Sequence, residues 1–154
     1  MGIVADVLKR CLSMNDEAEW FEFKDSMFKP DDIGEYISAL SNSAAMEGEP
    51  FGYLIWGIDN STHEYTNTKF NYQKDVDHEP FQHYLSRYVS PTIYFRFDEE
   101  IIDGNRVVLL EIPAARIVPT EFKETRYIRI GSSKEKLRKY PDREAALPPL
   151  LMRW

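Results

Sequence analysis

The sequence carries one cysteine in 154 residues, and no apolar run approaches the roughly 18 residues that a membrane-crossing helix needs. Cys11 alone excludes an internal disulfide and a cysteine-based zinc site. It sits on the apolar face of a short helical pattern, where an inert buried thiol is expected. Met1-Gly2-Ile3-Val4-Ala5-Asp6 has no basic stretch leading an apolar run, so no secretory leader is expected and a cytoplasmic location is predicted. His63, His78 and His83 lack any recognisable metal-ligand spacing. Gly131-Ser132-Ser133-Lys134 lacks the upstream glycine and the Gly-Lys-Ser/Thr ending of a phosphate-binding loop, so ATP hydrolysis has no support. No Gly-x-Ser-x-Gly or other nucleophile–base pairing is present, and no internal repeat or low-complexity segment appears.

Positive charge is also scarce. Nineteen Lys and Arg face 26 Asp and Glu, a net charge of −7, which argues against a general phosphate-backbone binder. The distribution changes that reading locally. Lys123, Arg126, Arg129, Lys134, Lys136, Arg138 and Lys139 are opposed between residues 123 and 139 only by Glu124 and Glu135, which leaves +5. The acidic excess lies near the start, from Asp16 to Glu35.

What the chain does have is enough apolar residue, 43%, to build one core of ordinary domain size without staples. Ile3, Val4, Val7, Leu8, Cys11 and Leu12 recur at helical spacing. Phe21-Glu22-Phe23-Lys24 alternates as a strand with one buried face. Ile33, Tyr36, Ile37, Leu40 and Ala44 form the stripe of a longer helix, with Asp32 and Glu35 spaced as a capping box. Phe51 to Ile58 is nearly all apolar and reads as a central strand buried on both faces. A turn at Asp59 to Thr62 follows, then an ambiguous polar stretch from 63 to 78 and a helix from Glu79 to Val89. Strands at Thr92–Phe97 and Arg106–Ile112 flank Asp103-Gly104-Asn105, a hairpin signal. Tyr127 to Ile130 is a further strand, and Ser132 with Glu135 is spaced to cap a basic helix. The order predicts an α+β fold: a mixed sheet of about five strands with helices packed on it. Residues 1–140 are taken as the domain. The apolar, proline-broken stretch 141–154, ending on Trp154, is expected to begin a linker or a following domain of a longer protein; the alternative is a tail docked on its own domain.

Three blocks resemble the Schlafen AlbA-like family, also catalogued as a divergent AAA domain. They are Glu17 to Lys24, then Tyr36 to Asn42 with the strand from Gly52 to Asp59, and Tyr127 to Ser133. The likeness spans roughly residues 17 to 140. One departure is the single Gly48 where the family commonly has a Gly-Gly pair. The resemblance implies an AlbA-like core and a nucleic-acid-binding role, DNA or RNA, in a regulator or defence protein. It also implies two alternatives: a metal-dependent ribonuclease, and an oligomerisation or sensor domain that forms a homodimer.

Each implication has its own residues. Cleavage of a phosphodiester with Mg²⁺ or Mn²⁺ needs hard oxygen ligands held close together. By the family pattern these are Glu17, Glu22 and Asp59, with Asn60 beside Asp59 as a poorer ligand. Binding without cleavage calls on Arg129 for bidentate phosphate contact, and on Ser132 and Ser133 at the expected helix N-terminus. Lys24, Asn42, Arg126, Lys134, Lys136 and Arg138 complete the candidate nucleic-acid-binding set. Phe122 and Tyr127 are candidates for stacking on unpaired bases. Trp20, Trp56 and Trp154 are assigned to core or interface.

Overall fold

The computed structural model describes residues 2–14 and 18–151. Helix α1 (Ile3–Leu12) buries Val4, Leu8 and Cys11, one per turn. Strand β1 (Phe21–Lys24) pairs in parallel with β2 (Phe51–Trp56), Glu22 opposite Leu54 and Lys24 opposite Trp56. The crossover between them is α2 (Pro30–Met46). Proline fits its first turn, where no intrahelical partner for an N–H exists. Lys29, not Asp32, is the residue before that turn, and it makes no side-chain cap. Asp32 and Glu35 instead hold Lys134, each oxygen 2.9 Å from its Nζ.

The polar stretch after β2 contains a small ribbon of β3 (Asp75–Val76) and β4 (Glu79–Pro80), followed by α3 (Phe81–Tyr88) and β5 (Val89–Ser90). Strands β6 (Arg96–Ile102) and β7 (Asn105–Pro113) form the expected hairpin, closed by Asp103 and Gly104, both at positive φ as a two-residue turn requires. The remaining strands are β8 (Glu121–Phe122), β9 (Thr125–Ile130) and β10 (Ser133–Lys136), ahead of a single 3-10 turn, Leu137–Lys139, and α4 (Pro141–Leu151).

The expected α+β class holds, with helices packed on a mixed sheet. Among the described residues, beside the β3–β4 ribbon, eight strands rather than about five form two sheets of four, ordered β1-β2-β7-β6 and β10-β9-β8-β5. The first has buried side chains on both faces of its centre. Leu54, Trp56, Val108 and Leu110 join the cluster around Ile33, Ile37 and Leu40, while Ile55, Val107 and Leu109 join the cluster around Val4, Leu8 and Trp20. Trp56 stacks flat on Phe70, ring centroids 4.0 Å apart. Leu147 and Leu151 of α4 belong to the same cluster as Trp20.

Helix α2 lies between the two sheets, which explains a composition that the apolar stripe alone does not. Its other face is Ser38, Ser41, Asn42 and Ser43, all buried. These short side chains let the second sheet approach and then bond its backbone. Ser38 Oγ donates to the Thr120 carbonyl at 2.6 Å and accepts from the Tyr127 N–H at 2.9 Å. Ser43 Oγ accepts from the Arg129 N–H at 3.0 Å. Among the described residues no helix is long and apolar enough to cross a membrane.

Candidate functional site

Because β1 and β2 run parallel, their C-terminal ends point the same way, and the turn that leaves β2 starts beside Lys24. The Gly57 N–H donates to the Lys24 carbonyl at 2.8 Å. Gly57 has φ +105°, and a Cβ there would sit 2.7 Å from the Arg106 carbonyl oxygen, so only glycine fits this exit. Asp59 then shapes the turn: its Oδ1 accepts the Ser61 and Thr62 N–H groups, each at 2.8 Å. Those donors hold its carboxyl below the usual carboxylate range.

The turn walls one side of a cavity of about 280 Å³. Asn60, Ser61 and His63 line it from the turn, Phe21, Glu22 and Phe23 from β1, and Arg129 and Ser132 from β9 and the bend after it. Cys11, Met14 and Ala18 close the side next to α1. Burial pushes the Cys11 thiol up to about 12, which keeps it protonated and unreactive.

Glu22 and Arg129 are the charged pair of this cavity. Strand alternation alone allows Glu22 to face water, but it is only 6% exposed, and Arg129 is 3% exposed. Their closest approach, Arg129 Nη2 to Glu22 Oε1, is 3.7 Å, an ion pair too long for a hydrogen bond. The Tyr36 hydroxyl reaches Glu22 Oε2 at 3.4 Å, also long. Arg129 Nη1 donates to the Phe21 carbonyl, and Arg129 Nε has no partner.

Of the residues predicted from sequence, Glu22, Arg129 and Ser132 meet here. Asp59 lies in the adjoining turn, and Glu17 lies outside the described residues. The two described carboxylates do not by themselves make a divalent-cation centre. A guanidinium already stands beside Glu22, and the Asp59 Oδ1 serves its own turn. Among the described residues no group of three or more His, Cys, Asp or Glu is placed to hold a metal ion.

The rest are dispersed. Lys24 lies over the Tyr36 ring, 5.0 Å from its centroid, and Lys134 over the same ring at 4.7 Å. Asn42 is fully buried and spends its amide on the fold: Nδ2 donates to the Thr120 and Tyr127 carbonyls at 3.0 and 2.8 Å, and Oδ1 accepts from the Thr120 N–H at 2.8 Å. Arg126 pairs with Glu121 at 3.1 Å. Phe122 is a core residue, and Tyr127 is half-buried.

The expected basic helix is absent. Residues 133 to 136 form β10, antiparallel to β9, with Lys134 opposite Arg129. The helix N-terminus invoked for phosphate therefore does not exist at Ser132 and Ser133, although both are exposed. Lys136, Arg138 and Lys139 make no ion pair among the described residues. Sequence reasoning missed Ser61 and His63 as cavity residues; the signal was the polar turn directly after a fully buried strand. A larger, apolar groove of about 690 Å³ between residues 91–94 and 113–120 contains none of the predicted site residues.

Comparison with known proteins bears on the family and the fold. A family model described as Schlafen, AlbA_2 matches residues 17–138. The fold is similar to a crystal structure of a protein from Corynebacterium diphtheriae, with a TM-score of 0.60 and 16% identity over 94% of this chain and 28% of that one. It is also similar to the solution structure of the N-terminal domain of a RecG-related protein from Nitrosomonas europaea. There the TM-score is 0.50 and the identity 22%, over 86% of this chain and 92% of the other. The chain thus spans less than a third of the first of these structures. No curated protein matches the sequence.

Proposed function

We propose, from the premise that this chain belongs to the Schlafen AlbA_2 family, that it is a nucleic-acid-binding module whose contact surface centres on the cavity at Glu22 and Arg129. One observation carries the reading. Two stretches on which the family resemblance rests, Phe21 to Phe23 and Arg129 with Ser132, and the turn that directly follows a third, through Asn60, Ser61 and His63, line that one polar cavity. A fold requires its core residues to meet. It does not require polar residues of three segments far apart in sequence to border the same empty space.

The cavity is too small for a duplex, which favours unpaired strands, where bases are free to leave the stack. Lys136, Arg138 and Lys139 supply the long-range attraction to phosphates that a chain of net charge −7 otherwise lacks. Phosphate contacts of that kind position a strand without reading its sequence.

The test is fluorescence anisotropy with labelled single-stranded RNA and DNA between about 50 and 200 mM salt. The expected result is binding that weakens steeply as salt rises. The combined change Lys136→Ala, Arg138→Ala and Lys139→Ala is expected to weaken all sequences equally and to flatten the salt slope. No binding at the low-salt end would remove the proposal. An unchanged slope in the variant would remove the three cations from it.

A further inference from the structure

We infer that the cavity reads one unpaired guanine through Glu22 and Arg129, an assignment that rests on the nucleic-acid reading above. Its starting point is a buried charge pair with unused bonding capacity. A carboxylate accepts about four hydrogen bonds. Glu22 receives one long contact from Tyr36 and an ion pair at 3.7 Å. Arg129 is 97% removed from solvent, lines the cavity, and leaves Nε without a partner. Buried polar groups are almost always paired, and a loose buried ion pair does not repay its desolvation. Such a pair destabilises the fold slightly, but a ligand that enters between the two side chains meets an acceptor and a donor side by side.

The ligand must therefore bring donors for Glu22 next to an acceptor for Arg129. A phosphate brings acceptors only and sets like charge against Glu22. A metal cation meets the guanidinium. Among the bases, guanine alone presents two adjacent N–H donors, N1 and N2, followed by the O6 acceptor on the same edge. Adenine, cytosine and uracil place an acceptor beside their donor, and that acceptor would face the carboxylate lone pairs. Guanine N1–H and N2–H bond the two Glu22 oxygens, and O6 accepts from Arg129.

Size and walls agree. Pockets for drug-sized ligands run from about 300 to 1,000 Å³, so 280 Å³ has room for a ligand the size of one base. Phe21 and Phe23 give it apolar walls, and His63 packs edge-on against Phe23 at 5.3 Å. The edge that Glu22 and Arg129 read is the one used in base pairing. The guanine must come from a single strand, a loop or an extruded position.

The experiment measures anisotropy in EDTA with an oligouridine carrying one central guanosine, against the same strand with adenosine, cytidine or inosine there. An oligothymidine with one deoxyguanosine forms a parallel DNA arm, and GMP serves as competitor. Guanosine is expected to bind about tenfold or more tighter than the other three. Inosine keeps N1–H and O6 but lacks the N2 amine, so its loss tests the Glu22 contact without altering the protein. Glu22→Gln is expected to bring guanosine and inosine to parity. That variant leaves Arg129 unpaired and risks the fold, so the inosine comparison on the unaltered chain decides by itself.

Equal binding of guanosine and inosine by the unaltered chain would overturn the guanine assignment and leave the nucleic-acid reading standing. No binding of any strand would overturn both. A guanosine preference in the RNA or the DNA arm supports the assignment and identifies the source. GMP binding as tight as the strand's would support guanine recognition and remove the polymer as its natural source. Strand cutting that requires Mn²⁺ and is lost in Glu22→Gln would give Glu22 to a metal and overturn the inference.

Discussion

Arg129 and Lys134 stand directly opposite each other across β9 and β10, yet their ion pairs differ in every respect. Lys134 reaches Asp32 and Glu35 at 2.9 Å each, and those carboxylates are 42% and 27% exposed. Arg129 approaches Glu22 no closer than 3.7 Å, and both are nearly sealed from water. Like charges facing each other across strands repel, so each cation needs its own acid. The tight, half-wet pair behaves as a tie between α2 and the second sheet. The loose, dry pair spends stability and leaves hydrogen-bonding capacity unfilled, as the proposed base contact requires.

The largest expected effect comes from breaking the dry pair on one side. Arg129→Met leaves Glu22 buried and uncompensated and is expected to cost about 3–5 kcal/mol in urea unfolding. Adding Glu22→Leu is expected to restore most of that loss, because a buried ion pair replaced by apolar side chains is often neutral. A double variant as unstable as the single one would show the pair to be a strut after all.

Next in size is Asn42→Ala, which removes an uncharged tie between α2 and the same sheet. It strands the Thr120 N–H and the Tyr127 carbonyl, and a cost of about 2–3 kcal/mol is expected in the same assay. Lys134→Met is expected to cost about 1 kcal/mol, since its partners are half in water. Its pH dependence has a definite sign. Burial opposes the Lys134 ammonium, but Glu35 and Asp32 outweigh burial and hold its pKa above the ordinary lysine value. A raised lysine pKa contributes fully below the unfolded value of about 10.4 and is lost as pH rises through the folded value. Thermal melts of the two proteins should therefore converge above that pH. The smallest effect belongs to Arg138→Ala with Lys139→Ala, expected to leave stability within about 0.5 kcal/mol in the melt.

The α+β class, the buried strand expected over residues 51–58 and found at Phe51–Trp56, and the Asp103-Gly104 hairpin were legible because local signals there agree with the tertiary environment. Residues 132–136 were not. Ser132 and Glu135 have the spacing of a helix start, but a five-residue segment is too short for periodicity to separate helix from strand. Pairing with β9, and Lys134's contacts to α2, then decided. The apolar stripe of α2 was plain, while its Ser and Asn face, for which the stripe gives no packing role, bonds backbone at the second sheet. Glu22, Arg129 and Ser132, proposed from motif, line one cavity. Their grouping with Ser61 and His63 depends on which strands are neighbours, and no local pattern carries that information.

The Arg129–Phe21 contact joins residues 108 positions apart in the chain. Closing so long a loop is an entropic cost met only when most of the native contacts form together. The cavity should therefore appear late in folding, and it has no existence in any fragment that lacks β9. Hydrogen exchange of the Arg129 amide, held by Ser43, should track global rather than local opening. A ligand seated between Glu22 and Arg129 would then bind only the fully assembled chain and would raise the unfolding midpoint of the whole molecule.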